Sequence, residues 1–347
     1  MRLLRGMTAL ALAAAMIPLS SPAAAQTGLS ESGFRAYLPQ LEAQARRSGV
    51  SPGTIASVFP SLVFSPRTVE LDRAQPGGRP GSVANPPFAP YRARHVSPAL
   101  IAGGQRRYAA NLSRLQAIGR RYGVTPSVLV AIWGHETSYG AVTGNFDLLN
   151  SLASLAYDGR RRQLFSDEFV AALKMIDRGV PRYRLKGSWA GATGHPQFLP
   201  SVWLRLGTDG DGDGRSDIWR SEPDALASIA NYLSNAGWRP GVPWGVAVRV
   251  PPGFDRSRVR NTLRAPRCPR IYERHSRWLT IGEWRRLGIV AQSGIWPRES
   301  EMASLIEPDG PNGTAFLLTT NYRTILDYNC SNFYALSVGL LADAIAR

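Results

Sequence analysis

Scarcity bounds this sequence before any motif does. Cysteine occurs only at Cys268 and Cys330, lysine only at Lys174 and Lys186, and no segment, the N-terminal apolar run included, is long and apolar enough to span a bilayer. No cysteine near the start could carry a lipid anchor, and neither internal repeats nor low-complexity tracts occur. The lysine shortage leaves arginine to carry a formal charge of +16. Such a surplus suits an acidic polymer, either nucleic acid or an anionic cell-wall glycan, unless it reflects codon usage alone.

What is present at the N-terminus decides between those polymers. Arg2 and Arg5, the apolar run Met7 to Ile17 and Ala23-Ala24-Ala25 compose a secretory signal peptide over 1–25, cut after Ala25. Export argues against nucleic acid and predicts a soluble, periplasmic chain without a transmembrane helix. About 320 residues then remain, enough for one large core or a core with a smaller lobe. In an oxidising compartment Cys268 and Cys330 are expected to pair, which stabilises by about 4 kcal/mol through loop closure. Two buried thiols are the alternative.

Hydrophobic periodicity predicts helices over 29–64 (broken at Gly49-Val-Ser-Pro52), 98–122, 126–139, 161–178, 223–236 and 332–346. Residues 65–90 are rich in proline and glycine and read as an irregular connection, and 187–200 is broken by glycine. Val246 to Val250 and Thr314 to Thr320 alternate and branch like strands. The chain divides accordingly into 26–90, a core over 91–244, a mixed lobe over 245–328 and a closing segment over 329–347. The fold class is α+β, mostly α-helical.

The helix expected from Pro126 to Tyr139 carries a carboxylate, Glu136, on a face with Leu129, Ile132 and Trp133. Thr125 stands at the cap position and Gly140 supplies a stop. A carboxyl among such neighbours resists ionisation, and a proton retained near neutral pH is what a general acid needs. A helix-end glutamate near solvent, or paired with an arginine, fits the same spacing. A zinc-protease helix does not, because H-E-x-x-H requires histidine where Tyr139 stands.

A second motif is acidic. Asp209-Gly-Asp-Gly-Asp-Gly-Arg-Ser-Asp217 sets Asp209, Asp211, Asp213 and Asp217 at loop positions 1, 3, 5 and 9, with Gly214 at 6 and the Arg215 carbonyl at 7. This is the pattern of an EF-hand-like calcium loop within 209–224, with a structural role. Its twelfth position is Arg220, so closure falls to Glu222 or Asp224, or is lacking. A solvated acidic turn is the alternative.

Four segments resemble the membrane-bound lytic murein transglycosylase B family, in the family's order. They are Ala131-Ile-Trp-Gly-His-Glu-Thr-Ser-Tyr-Gly140, Gly187-Ser-Trp-Ala-Gly-Ala-Thr-Gly-His-Pro-Gln-Phe-Leu-Pro200, the acidic loop with Ile229-Ala-Asn-Tyr-Leu233, and Tyr328-Asn-Cys-Ser-Asn-Phe-Tyr-Ala-Leu-Ser-Val-Gly-Leu-Leu341. The resemblance implies a lysozyme-like core with a small strand-containing lobe, here in a soluble exported form. It implies cleavage of peptidoglycan glycan strands between N-acetylmuramic acid and N-acetylglucosamine, leaving 1,6-anhydro ends. No cofactor takes part in that chemistry, and calcium is structural.

Glu136 matches the family's single acid/base, while Tyr91, Ser188, Gln197, Tyr232, Asn329 and Tyr334 match residues lining its cleft. Tyr334 and Tyr232 also suit core packing, and Ser188 and Gln197 also suit turn caps. Thr193 and His195-Pro196 depart from the family's pattern, and His135 carries no assigned role. The expected state is a monomer, with wall-synthesis proteins as possible recruiters. A hydrolytic muramidase and a non-enzymatic peptidoglycan-binding protein are the competing readings, the first needing a second carboxylate that no motif nominates.

Overall fold

The computed structural model describes residues 28–75, 86–262 and 264–347; the signal segment 1–25 lies outside them. Helices dominate: α1 (Glu31–Arg47), α2 (Pro52–Val58), α3 (Pro66–Arg73), α4 (Phe88–His95), α5 (Pro98–Ala110), α6 (Leu112–Tyr122), α7 (Pro126–Thr137), α8 (Leu148–Asp158), α9 (Arg162–Asp177), α10 (Pro200–Leu206), α11 (Glu222–Asn235), α12 (Pro269–Tyr272), α13 (Ile281–Arg286), α14 (Thr320–Tyr328) and α15 (Asn332–Ile345). A short antiparallel pair, β1 (Phe146–Asp147) and β2 (Lys186–Gly187), sits among them. Five further strands, β3 (Gly245–Arg249), β4 (Leu279–Thr280), β5 (Val290–Ala291), β6 (Met302–Ile306) and β7 (Ala315–Thr319), form an antiparallel sheet in the order β4-β6-β7-β3-β5.

Local chemistry sets most starts. Ser30, Ser51, Ser97 and Ser221 each accept a backbone N–H at the head of α1, α2, α5 and α11. Two expectations change. The helix foreseen over 98–122 breaks at Asn111, whose side-chain amide donates to the Arg107 carbonyl (3.1 Å) and competes with the helical ladder. The stretch foreseen as irregular contains α3, which starts on Pro66 and is tied down by buried Asp72, paired with Arg160 (2.6 Å) and Arg161.

Three apolar clusters hold the molecule. One joins α1 and α2 to α8, α9 and α10, so the first helices pack against residues that follow them by about a hundred positions. The second gathers α6, α7, α11, α14 and α15. The third lies within the sheet lobe. Strand β7 is buried along its whole length and serves two clusters by alternation: Phe316 and Leu318 face the helices, whereas Ala315 and Leu317 face the lobe. Cys268, at the head of α12, is bonded to Cys330, between α14 and α15, with their Cα atoms 5.9 Å apart.

Candidate active site

Helix α7 is buried on nearly every side, so the apolar stripe read from its sequence is one part of an all-round apolar surface. It packs against α5, α6, α11 and α15. Its end is abrupt. The stop foreseen at Gly140 comes earlier, at Thr137, because Ser138 (φ 50°), Tyr139 (φ 63°) and Gly140 (φ 85°) are all left-handed. Two non-glycine residues in that region carry strain that their surroundings must offset.

The surroundings are specific. The Gly140 N–H donates to Thr137 Oγ1 (3.0 Å), and that hydroxyl lies 3.1 Å from the His195 carbonyl. The Tyr139 hydroxyl donates to the Leu100 carbonyl at 2.6 Å, with the Arg107 guanidinium 4.8 Å above the ring. Gly103, Gly104 and Gly134 make room for that ring. A Cβ on Gly134 would lie 2.5 Å from a ring carbon.

This turn sets Glu136 in the last turn of α7, half-buried. Its Oε1 accepts from the Tyr334 hydroxyl at 2.6 Å. Burial pushes its pKa up to about 7, and the Tyr334 hydrogen bond only partly opposes the rise. Neighbouring carboxylates play no part in the shift. Tyr334, Tyr328 and Tyr91 have their own pKa values raised by burial first and by the Glu136 charge second. The rise by burial is the one expected for a carboxyl on this helix, and the side chain that acts on it directly, Tyr334, comes from α15.

A ring stack backs these tyrosines. His135 is held neutral by burial, its pKa pushed down to about 3, and its Nε2 is 3.0 Å from Ser337 Oγ. Its ring meets Tyr334 edge-on at 4.5 Å and stacks on His95 at 4.8 Å. His95 stacks in turn on Tyr91 at 3.9 Å.

The other sequence-derived residues fall in different settings. Tyr334 is both a core residue and the partner of Glu136. Tyr232 donates to the Asp327 carbonyl (2.8 Å) and meets Tyr328 edge-on at 4.7 Å, which places it behind Tyr328. Ser188 Oγ accepts from the Ala192 N–H (3.0 Å) and closes a turn. Gln197 is left-handed (φ 49°), and its amide nitrogen donates to Gly194 (2.9 Å) and Thr143 (3.1 Å) carbonyls. Asn329 is exposed beside the disulfide.

Tyr328 is the residue that sequence reasoning missed. Its hydroxyl donates to the Pro196 carbonyl at 2.5 Å, and its ring lies nearly parallel to that of Tyr334, 6.4 Å away. It opens the tail motif already singled out. Thr193, a departure from the family's pattern, is buried and bonded to the Lys186 carbonyl (2.6 Å) and the Trp219 indole (2.7 Å), so its hydroxyl serves the loop.

In the acidic loop, Asp209, Asp211 and Asp213 bring carboxylate oxygens within 4.8 Å of one another. Asp209 accepts from Gly212 (2.6 Å) and Gly214 (2.8 Å) N–H groups, which hold its pKa below the usual range. Three expected ligands are engaged elsewhere. Asp217 pairs with Arg184. Asp224 is fully buried, and its two oxygens accept from Gly210 (2.8 Å) and Asp217 (2.6 Å) N–H groups, so it shapes the loop rather than closing a cation site. Glu222 lies 3.4 Å from the Asn111 amide.

Comparison with known proteins places this geometry. The family model described as Transglycosylase SLT domain matches residues 33–343. The chain is 31% identical over 271 residues to membrane-bound lytic murein transglycosylase B of Escherichia coli K12, spanning 77% of this chain and 70% of that one. Crystal structures of SltB3 from Pseudomonas aeruginosa, with NAG-NAM-pentapeptide and with NAG-anhNAM-pentapeptide, match with a TM-score of 0.80 and 39% identity over 90% of this chain and 79% of that one. An Escherichia coli lytic transglycosylase in complex with calcium matches with a TM-score of 0.70 and 26% identity, over 91% and 93% of the two chains.

Proposed function

The chain belongs to the SLT transglycosylase family, and from that footing we propose that Glu136 performs both proton transfers of its reaction. The enzyme is a lytic transglycosylase of peptidoglycan. It cleaves between N-acetylmuramic acid and N-acetylglucosamine and forms 1,6-anhydro ends. The observation that carries the assignment is the Glu136 carboxyl, kept protonated near neutral pH by burial and bonded at 2.6 Å to Tyr334.

With Oε1 accepting from Tyr334, the proton resides on Oε2 and is donated to the glycosidic oxygen as the bond breaks. The substrate's own acetamido carbonyl stabilises the positive anomeric carbon. Glu136, now ionised, removes the proton from the muramoyl 6-hydroxyl as that oxygen attacks the same carbon. Proton balance is closed without water. Tyr91 and Tyr328 offer flat faces to sugar rings beside the acid, and Tyr232 supports Tyr328. Gln197, with its amide nitrogen engaged by backbone, presents its oxygen to a substrate N–H, while Ser188 and Asn329 supply further polar contacts.

A hydrolytic muramidase would need a second carboxylate within about 5–9.5 Å of the first, and no sequence motif nominates one. Mass spectrometry of sacculi digested by the purified protein separates the readings. Anhydro-ended muropeptides are expected; reducing ends would overturn the transglycosylase mechanism.

Two further proposals concern the setting. The donor set of Asp209, Asp211 and Asp213 fits a hard cation, and calcium held there, with the Arg215 carbonyl as an added oxygen, would neutralise three like charges between α10 and α11. The calcium-bound relative supports this reading. The signal segment and the Cys268–Cys330 bond support a periplasmic location. Among the described residues, no helix is long and apolar enough to cross a membrane.

A further inference from the structure

Two consecutive residues of α7 reach two residues one turn apart on α15. Glu136 Oε1 accepts from the Tyr334 hydroxyl at 2.6 Å, and His135 Nε2 lies 3.0 Å from Ser337 Oγ. Tyr334 and Ser337 are three positions apart, so they share one face of α15. Both are buried, Ser337 completely. The proton transfers use the first of these contacts and leave the second without a role.

The serine fixes the direction of the second contact. Its hydroxyl carries one proton, which goes to the carbonyl oxygens of Phe333 (2.7 Å) and Tyr334 (3.0 Å) on its own helix. Its oxygen is left to accept, so His135 presents Nε2–H to it. Burial keeps the imidazole neutral, and a neutral imidazole has a single N–H. Spending that N–H on Ser337 sets both the tautomer and the plane of the ring.

The ring so fixed bears on Tyr334. It meets the tyrosine edge-on, with centroids 4.5 Å apart and planes at 66°. From α4, His95 stacks on it at 4.8 Å and Tyr91 lies 6.2 Å away. Among the described residues, His95, Tyr91 and Tyr334 are the titratable side chains whose rings meet His135. Charge matters here as much as shape. An imidazolium against Tyr334 would favour the ionised form of Glu136, whereas a neutral ring restrains the tyrosine and leaves the carboxyl protonated.

We propose that His135 is a positioning residue: anchored by Ser337, it holds the Tyr334 ring so that the phenol hydroxyl stays on Oε1 of Glu136 and Oε2 remains the atom that delivers the proton. The proposal rests on the lytic reading and on Glu136 as its acid, and adds the side chain that sets the acid's geometry.

The test is a double-variant cycle read by kcat and by pH. His135→Leu removes the Ser337 bond and keeps an apolar side chain. It should lower kcat about threefold to tenfold, the scale of one hydrogen bond. The alkaline limb of the pH–rate profile should move to higher pH, the direction of a weakened Tyr334 bond. In a Tyr334→Phe background the same change should cost less than about twofold, because the hydroxyl it positions is gone. His135→Gln, which keeps an N–H donor, should recover part of the kcat. Ser337→Ala repeats the test from α15 and decides it if His135→Leu does not fold. Losses that multiply in the double variant, or a lowered Tm with kcat and the pH limb unchanged, would overturn the proposal. Product analysis with the wild-type protein and turnover by Glu136→Gln test the lytic reading separately, so the two failures are distinguishable.

Discussion

Two carboxylate sites in this chain are shifted in opposite directions. Glu136 is half-buried, surrounded by tyrosine rings and bonded to one hydroxyl, and its pKa rises to about 7. Asp209 stands in an exposed turn whose backbone N–H groups point at it, and its pKa falls. Neither shift depends on a neighbouring formal charge as its main cause. The lesson is that packing and backbone direction suffice to make one carboxyl a proton donor and another a permanent anion. The first suits acid catalysis and the second suits a hard cation.

The strongest way to break the comparison is Glu136→Gln. It should lower sacculus digestion about 10²–10⁴-fold while leaving glycan binding nearly intact, as checked by muropeptide release and calorimetry. Retained turnover would remove Glu136 from its role. Tyr334→Phe should act less severely, with kcat down about tenfold. Because the lost hydrogen bond favours the ionised form, the Glu136 pKa should rise. The alkaline limb of the pH–rate profile, which falls through about pH 7 in the wild type as the acid loses its proton, should then move to higher pH. An unmoved limb would separate Tyr334 from the titration.

Stability should register the same shift. Between the ordinary glutamate value of 4.5 and the folded value of about 7, the folded state binds more protons than the unfolded state. Wild-type stability therefore declines as pH rises through that window, and Glu136→Gln escapes the decline. The variant should be about 1–3 kcal/mol more stable than wild type at pH 8 and indistinguishable near pH 4, as measured by urea unfolding. At Asp209 the smallest effect is expected. Millimolar calcium should raise the Tm by a few degrees, about 1 kcal/mol, and Asp213→Asn should abolish the gain without moving the catalytic pH limb. A Tm indifferent to calcium and chelator would leave the loop as a solvated turn.

Much of the frame was legible in the residues. Apolar spacing marked most of the helices, Pro126 marked the start of α7, and alternation marked β3 and β7, because these signals act over a few residues; Thr125 stands at the N-cap of α7 but makes no side-chain cap hydrogen bond. What was hidden acts over longer distances or through side chains. Spacing gave Asp217 and Asp224 the look of ligands, yet an ion pair with Arg184 and two backbone N–H groups claim their oxygens. Periodicity located Glu136 but could not reveal that the Tyr334 hydroxyl, brought in from far along the chain, is bonded to it, or that Tyr91 and Tyr328 feel its charge. The left-handed turn was hidden because Ser138 and Tyr139 carry no glycine signal; only the contacts of Tyr139 require it.

Those contacts bear on how this enzyme can vary in evolution. Gly103, Gly104 and Gly134 form a socket for the Tyr139 ring, and a methyl group at any of them would meet another atom at 3.0 Å or less. Four positions are thereby bound together: a side chain at Gly134 displaces the Tyr139 ring, one at Gly104 displaces Ile345 as well, and a shifted ring disturbs the turn that follows Glu136. Single substitutions there should each disturb the turn, most of all at Gly134. This small internal socket therefore constrains the sequence as a unit, from outside the cleft it serves.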